Sequence, residues 1–159
     1  MDTDGRLAPA TAEAARDRYA ELGATAQTVV KEVAKAMEMG ADEYGDRVTG
    51  EVVETARDAL FASLLEVHTG TREEYEEWLA DQEYETHEVG SDNVDNVAWH
   101  AAPAAETVVA ATFQSERRAA VETLRRQAFG RVYRELVTEG GEGTDDGGPA
   151  VEDGAGADE

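Results

Sequence analysis

Chemistry in this chain has few places to reside, and the first is His100. It stands beside Trp99 inside "NVAWHAAPAAETVVAATF", Asn96 to Phe113, a run made mostly of alanine, valine and threonine. An imidazole titrates near neutral pH, so it can serve as a general acid or base or as a metal ligand. Two further histidines, His68 and His87, and neighbouring acids such as Glu66, Glu85 and Asp92 are the available co-ligands. Their spacings match neither a helical H-E-x-x-H arrangement nor an EF-hand loop, so no metal site is assigned. His68 reads as the end of a helix, where the helix dipole favours a cation.

Other chemistries are poorly supplied. The chain has no cysteine, which removes thiolate zinc sites, disulfides and cysteine nucleophiles and suits a reducing compartment. The serines, Ser63, Ser91 and Ser115, lie in no G-x-S-x-G elbow, and Ser115 reads as a helix cap. Carboxylate pairs carry little information where Asp and Glu number 36. The Gly-rich "GGEGTDDGG" has no lysine, and its acids would repel phosphate. Sequence alone therefore assigns no catalytic residue and no cofactor.

The second place is the last helix, which carries Arg117, Arg118, Arg125, Arg126, Arg131 and Arg134 against Glu116, Glu122 and Glu135. Arg125 falls within the helix's apolar stripe, beside Val121, Phe129 and Val132. A partly buried arginine there needs a carboxylate or backbone carbonyls as partners. No basic run, RNP-like aromatic pattern or helix-turn-helix accompanies these arginines, so nucleic acid is disfavoured as a partner.

The elements that would position these residues follow from periodicity. Apolar residues recur at helical spacing in Thr11–Leu22 and Thr25–Met39, with Gly23 and Gly40 as stops. A third helix is expected over "TGEVVETARDALFASLLEV", with Thr49 as its N-cap. A fourth opens at "TREEYEEWLA", where Thr71 and Glu74 form a capping box. After Asp81 the period becomes two. "EYETHEV", "VAWHAA" and "TVVAATF" read as a three-stranded antiparallel meander, followed by one long helix from Glu116 to about Val137. The fold class is thus α+β: four N-terminal helices, a three-stranded meander and a long C-terminal helix in one domain over 1–138. The remainder, 139–159, is glycine and acid with no base, and reads as a disordered tail.

Strand alternation decides where His100 looks. Val97, Trp99 and Ala101 share one face, and Ala98, His100 and Ala102 share the other. Trp99 is the core anchor because of its area. Neither face of the hairpin is polar, so both need a cover, either the chain's own helices or a second copy.

At 159 residues the chain has room for a self-sufficient core. The net charge of −22, with only Lys31 and Lys35 as lysines and no isoleucine, reads as adaptation to a salty cytoplasm. The opening "MDTDGRLAPA" lacks the apolar region of a secretory leader, and "ALFASLL" is too short to span a membrane. A cytoplasmic location without membrane attachment is expected.

Two runs, "DALFASLLEVHTGTREEYEEW" and "NVDNVAWHAAPAAETVVAATFQSERRAAVETLRRQAFGRVYREL", resemble a small family of uncharacterised proteins from haloarchaea. The resemblance spans Leu7 to about Val137 and omits the tail. It implies a halophilic, cytoplasmic setting and transfers no catalytic or binding residue. The functional expectation is a non-enzymatic interaction module that self-associates through the alanine-lined sheet face of Ala98, His100 and Ala102. The alternative is a small enzyme or ligand-binding protein with a pocket built on His100 and Arg125.

Overall fold

The computed structural model describes residues 1–142, in an α+β arrangement. Its helices are α1 (Ala12–Glu21), α2 (Gly23–Ala36), α3 (Ala41–Arg47), α4 (Gly50–Leu64), α5 (Arg72–Ala80), α6 (Arg117–Ala128) and α7 (Arg134–Glu142). A π-helical turn, Phe129–Tyr133, joins the last two. The strands are β1 (Asp2–Asp4), β2 (Val67–Thr71), β3 (Glu85–Val89), β4 (Asn96–Ala102) and β5 (Thr107–Phe113), in the order β1-β2-β4-β5-β3.

This corrects the expected meander. The β4–β5 hairpin is antiparallel, with His100 opposite Val109 and Trp99 opposite Ala110. The third expected strand, however, pairs parallel to β5 on its far side, so β5 lies between β3 and β4. Polarity accounts for the order. Glu85–Val89 is exposed throughout, whereas β4 and β5 are largely buried. The most apolar strands occupy the centre, and charged ones such as β3 and the "DTD" of β1 take the edges, where side chains stay in water and discourage further pairing.

The expected set of four N-terminal helices is also corrected. A fifth, α3, precedes α4. Gly23 does not stop α1 in open space. It is the buried first residue of α2, and a Cβ there would strike the Arg57 guanidinium. The left-handed residue after α2 is Glu38, with φ 59°, rather than Gly40. The third expected helix ends at Leu64, and Leu65 turns the chain into extended structure. His68 therefore lies on β2 and not at a helix end. "LEVHT" alternates Leu65, Val67 and Thr69 inward with Glu66 and His68 on the other side, but two leucines before it also fit a helical stripe.

The expected capping box of α5 is present. Thr71 accepts from the Glu74 backbone, and Glu74 accepts from the Thr71 backbone in return. Ser115 is not the cap of α6; the N-cap position is Glu116, without a side-chain bond. The final helix continues to Glu142, past the expected boundary at 138, and the rest of the expected tail, 143–159, lies outside the described residues.

Two apolar layers sandwich the sheet. On one face Tyr75, Val97, Trp99, Val108 and Ala110 pack with Trp78 and Leu79 of α5. On the other, Ala98, Ala102 and Val109 meet Phe61 of α4, Leu124 of α6, Phe129 and Tyr133. Aromatic contacts tie both layers, with Tyr75–Trp99 centroids 5.0 Å apart and Phe61–Tyr133 centroids 5.2 Å apart. Such tilted pairs add to the area they bury.

Candidate functional site

Trp99 and His100 face opposite ways, as strand alternation requires, and the chain covers both. His100 is 0% exposed, and so are Ala98 and Ala102. The helical layer of α6, the π turn and α4 lies over them. The face expected to bind a second copy is therefore interior. Its physical cause is the long C-terminal helix, whose apolar side is the natural cover for an alanine-lined strand.

Two polar atoms satisfy the imidazole. Nδ1 lies 2.6 Å from the Glu66 carbonyl, and Nε2 lies 2.7 Å from the Tyr133 hydroxyl. A carbonyl only accepts, so Nδ1 carries the proton and donates it, while Nε2 accepts from Tyr133. Burial lowers the His100 pKa from 6.5 to about 4, opposed by its bond to the Glu66 backbone and aided by the charges of His68 and Arg125. Burial likewise raises the Tyr133 phenol above its ordinary value. A neutral imidazole bonded to a neutral phenol away from water is a structural cross-link between β4 and the π turn, not a proton carrier for a solvent-borne substrate.

Arg125 lies on the same side of the sheet as His100, but the two do not share a cavity. Its Nε donates to the Leu65 carbonyl at 2.9 Å, and Nη2 stands 3.9 Å from the Asp4 carboxylate. The side chain is 12% exposed. The expected partners, backbone carbonyl and carboxylate, are thus both present, supplied by the β1 segment and the end of α4. Gly5 permits the approach. Its φ is 85°, and a Cβ would lie 2.6 Å from Arg125 Nη2. Arg117 pairs with Asp2 at 2.9 Å.

Three concavities meet at Arg125. One lies along β1 and α6 with Arg117 and Arg118, one under Gly5–Leu7 with Arg18, and one between α4 and α6. The last encloses about 560 Å³. His100 lines none of them. The pocket expected from His100 and Arg125 together reduces to Arg125 alone.

Sequence reading missed two features. The first is a hydroxyl–imidazole–carboxylate chain: Thr3 Oγ1 is 2.9 Å from His68 Nδ1, and His68 Nε2 is 3.5 Å from Glu66. Its order resembles a nucleophile relay. Yet it lies on the α5 face of the sheet, where the His68 ring tilts against Trp78 and Trp99 and burial lowers its pKa. Thr3 lies in a segment that carries no strand signal of its own. The second feature is on α2. Val29, Val33 and Met37 are 40%, 52% and 63% exposed, at spacings of four. The same helix buries Ala26, Val30 and Ala34 beside them. The stripe was legible, but sequence could not say which part of a broad apolar arc stays uncovered.

Among the described residues no three His, Cys, Asp or Glu side chains gather to hold a metal, and no helix is long and apolar enough to cross a membrane. No curated protein and no solved structure matches the chain. A family model does match, over residues 6–134, nearly the span of the resemblance noted in the sequence. The chain belongs to the family described as Family of unknown function (DUF5809).

Proposed function

We propose that this protein is a non-enzymatic interaction module that pairs with a second copy through the exposed stripe of α2. The observation that carries this reading is the uncovered Val29–Val33–Met37 row. Large exposed aliphatics aligned on one helix mark a contact surface more strongly than scattered ones. A twofold axis through Val33 sets Val33 against its own copy and Val29 against Met37, so the row is self-complementary in an antiparallel pair.

Charge favours the same face. Two chains of net −22 repel, and most surfaces would bring carboxylates together. Helix α2 carries Lys31 and Lys35 against Glu32 and is net positive, while α3, α4 and α5 are net acidic. A second copy meets less repulsion at α2 than at those acidic helices. A salty cytoplasm, read from the acidic composition, would screen the remainder.

The absence of cysteine makes the test clean. In the Val33→Cys variant, mild oxidation should yield a disulfide-linked dimer across the axis, whereas Glu54→Cys on α4 should not. Sedimentation should show concentration-dependent association that Val33→Glu abolishes. A wild-type chain that stays monomeric at high micromolar concentration in molar KCl would overturn the reading.

A further inference from the structure

The groove between α4 and α6 combines features that neither the core nor the α2 stripe uses. Its floor is Ala59, Ala62 and Phe129, and one wall carries Arg125, Arg126 and Arg134. Thr55, Asp58, Ser63 and Glu122 complete the rim. Small-molecule sites occupy about 300–1,000 Å³, with mostly apolar walls and a few orienting polar groups; this groove, at about 560 Å³, falls within that range.

Its charge runs against the acidic balance of the chain as a whole. Three guanidinium groups face two carboxylates, and the Asp58 carboxylate already accepts a 2.7 Å bond from the Tyr19 hydroxyl. The Arg125 guanidinium is held in place before any ligand arrives, because Nε is committed to the Leu65 carbonyl. Such preorganisation reduces the ordering cost of binding. Arg134 sits over the Phe129 ring at 5.4 Å, which places a cation beside the apolar floor. Among the described residues Arg126 makes only a long contact, 3.4 Å, to Thr123 within its own helix.

We propose that this groove binds an amphipathic organic anion, a single carboxylate- or sulfonate-type head on an apolar body. The head is met by Arg125 and Arg126, and the body rests on Ala59, Ala62 and Phe129. A bare inorganic anion would leave the apolar floor unmatched. A polyanion would meet Glu122, and Asp2 and Asp4 beyond it, which line the neighbouring concavity with Arg117 and Arg118.

The probe is anilinonaphthalene sulfonate, titrated into the full-length protein in molar KCl. Saturable, blue-shifted fluorescence at one site per chain is expected, displaced by dodecanoate and not by dodecyltrimethylammonium. Arg126→Glu should weaken binding roughly tenfold, in line with losing and reversing one charge-assisted contact. Ala59→Trp should block the floor. Arg126 and Ala59 are exposed, so both variants should fold, as far-UV circular dichroism would verify. Val33→Glu, on α2, should leave binding unchanged, which separates this site from the pairing surface. Absence of saturable binding, or binding that neither groove variant moves, overturns the proposal.

Discussion

The Nε2 atom of His100 lies 2.7 Å from the Tyr133 hydroxyl, and that bond joins the central strand β4 to the π-helical turn of the C-terminal helix. Neither partner reaches solvent. An ionisable side chain held neutral in this way makes stability depend on pH.

The folded-state pKa of His100, about 4, is below its ordinary value of 6.5. Below pH 6.5 the unfolded chain takes up a proton that the native state refuses, so stability is full above that value and falls as pH drops toward 4. The slope reaches about 1.4 kcal/mol per pH unit, and the total is on the order of 3 kcal/mol. His68, also lowered by burial, acts in the same direction. Urea unfolding between pH 7 and 4.5 should show the loss, and His100→Gln should flatten its His100 portion. An unchanged pH dependence in that variant would refute the assignment.

Tyr133→Phe keeps the ring and removes the donor. The buried Nε2 acceptor is then unsatisfied, at a cost of about 1–3 kcal/mol. Chemical denaturation should register this as a lower midpoint with an unchanged slope. In the His100→Leu background the same change should cost much less, since no acceptor remains.

Gly5→Ala and Gly45→Ala should have opposite signs. At Gly5 the backbone is left-handed, and a Cβ would press on Arg125 and the Leu65 carbonyl, so a loss of about 1–3 kcal/mol is expected. At Gly45, inside α3, a Cβ meets nothing, and alanine should stabilise by about 0.5–1 kcal/mol. Thermal melts of the two variants make the comparison. A neutral Gly5→Ala would mean that β1 does not hold Arg125 in place.

Thr71→Ala breaks the capping box of α5. It should destabilise by about 1 kcal/mol, because the Glu74 amide loses its acceptor. Glu74 also pairs with the N-terminal amine at 3.0 Å, so the edge strand β1 should loosen with it. Faster amide exchange at Thr3 and Asp4 in Thr71→Ala is the expected signature.

Local features were legible where chemistry and period agreed. Thr71 and Glu74 announced their cap, and the alternation through Val97, Trp99 and His100 set the two faces of β4. Arg125, lodged among apolar residues, announced a need for a carbonyl or carboxylate. Legibility failed where two periods fit one run. Leu64, Leu65 and Val67 suit a helix or a strand, and only pairing with Trp99 and Ala98 put His68 and Thr69 on β2. It failed again at β3, whose residues name a strand but not its neighbour.

By itself the sequence determined the class of elements, the opposed orientation of Trp99 and His100 and the acidic surface, because these depend on spacing and side-chain type within a few residues. Tertiary structure decided what covers each face. Burial is a property of contacts between distant segments, so only the folded chain could show Tyr133 sealing His100, β5 lying between β3 and β4, and α2 leaving Val29, Val33 and Met37 in water.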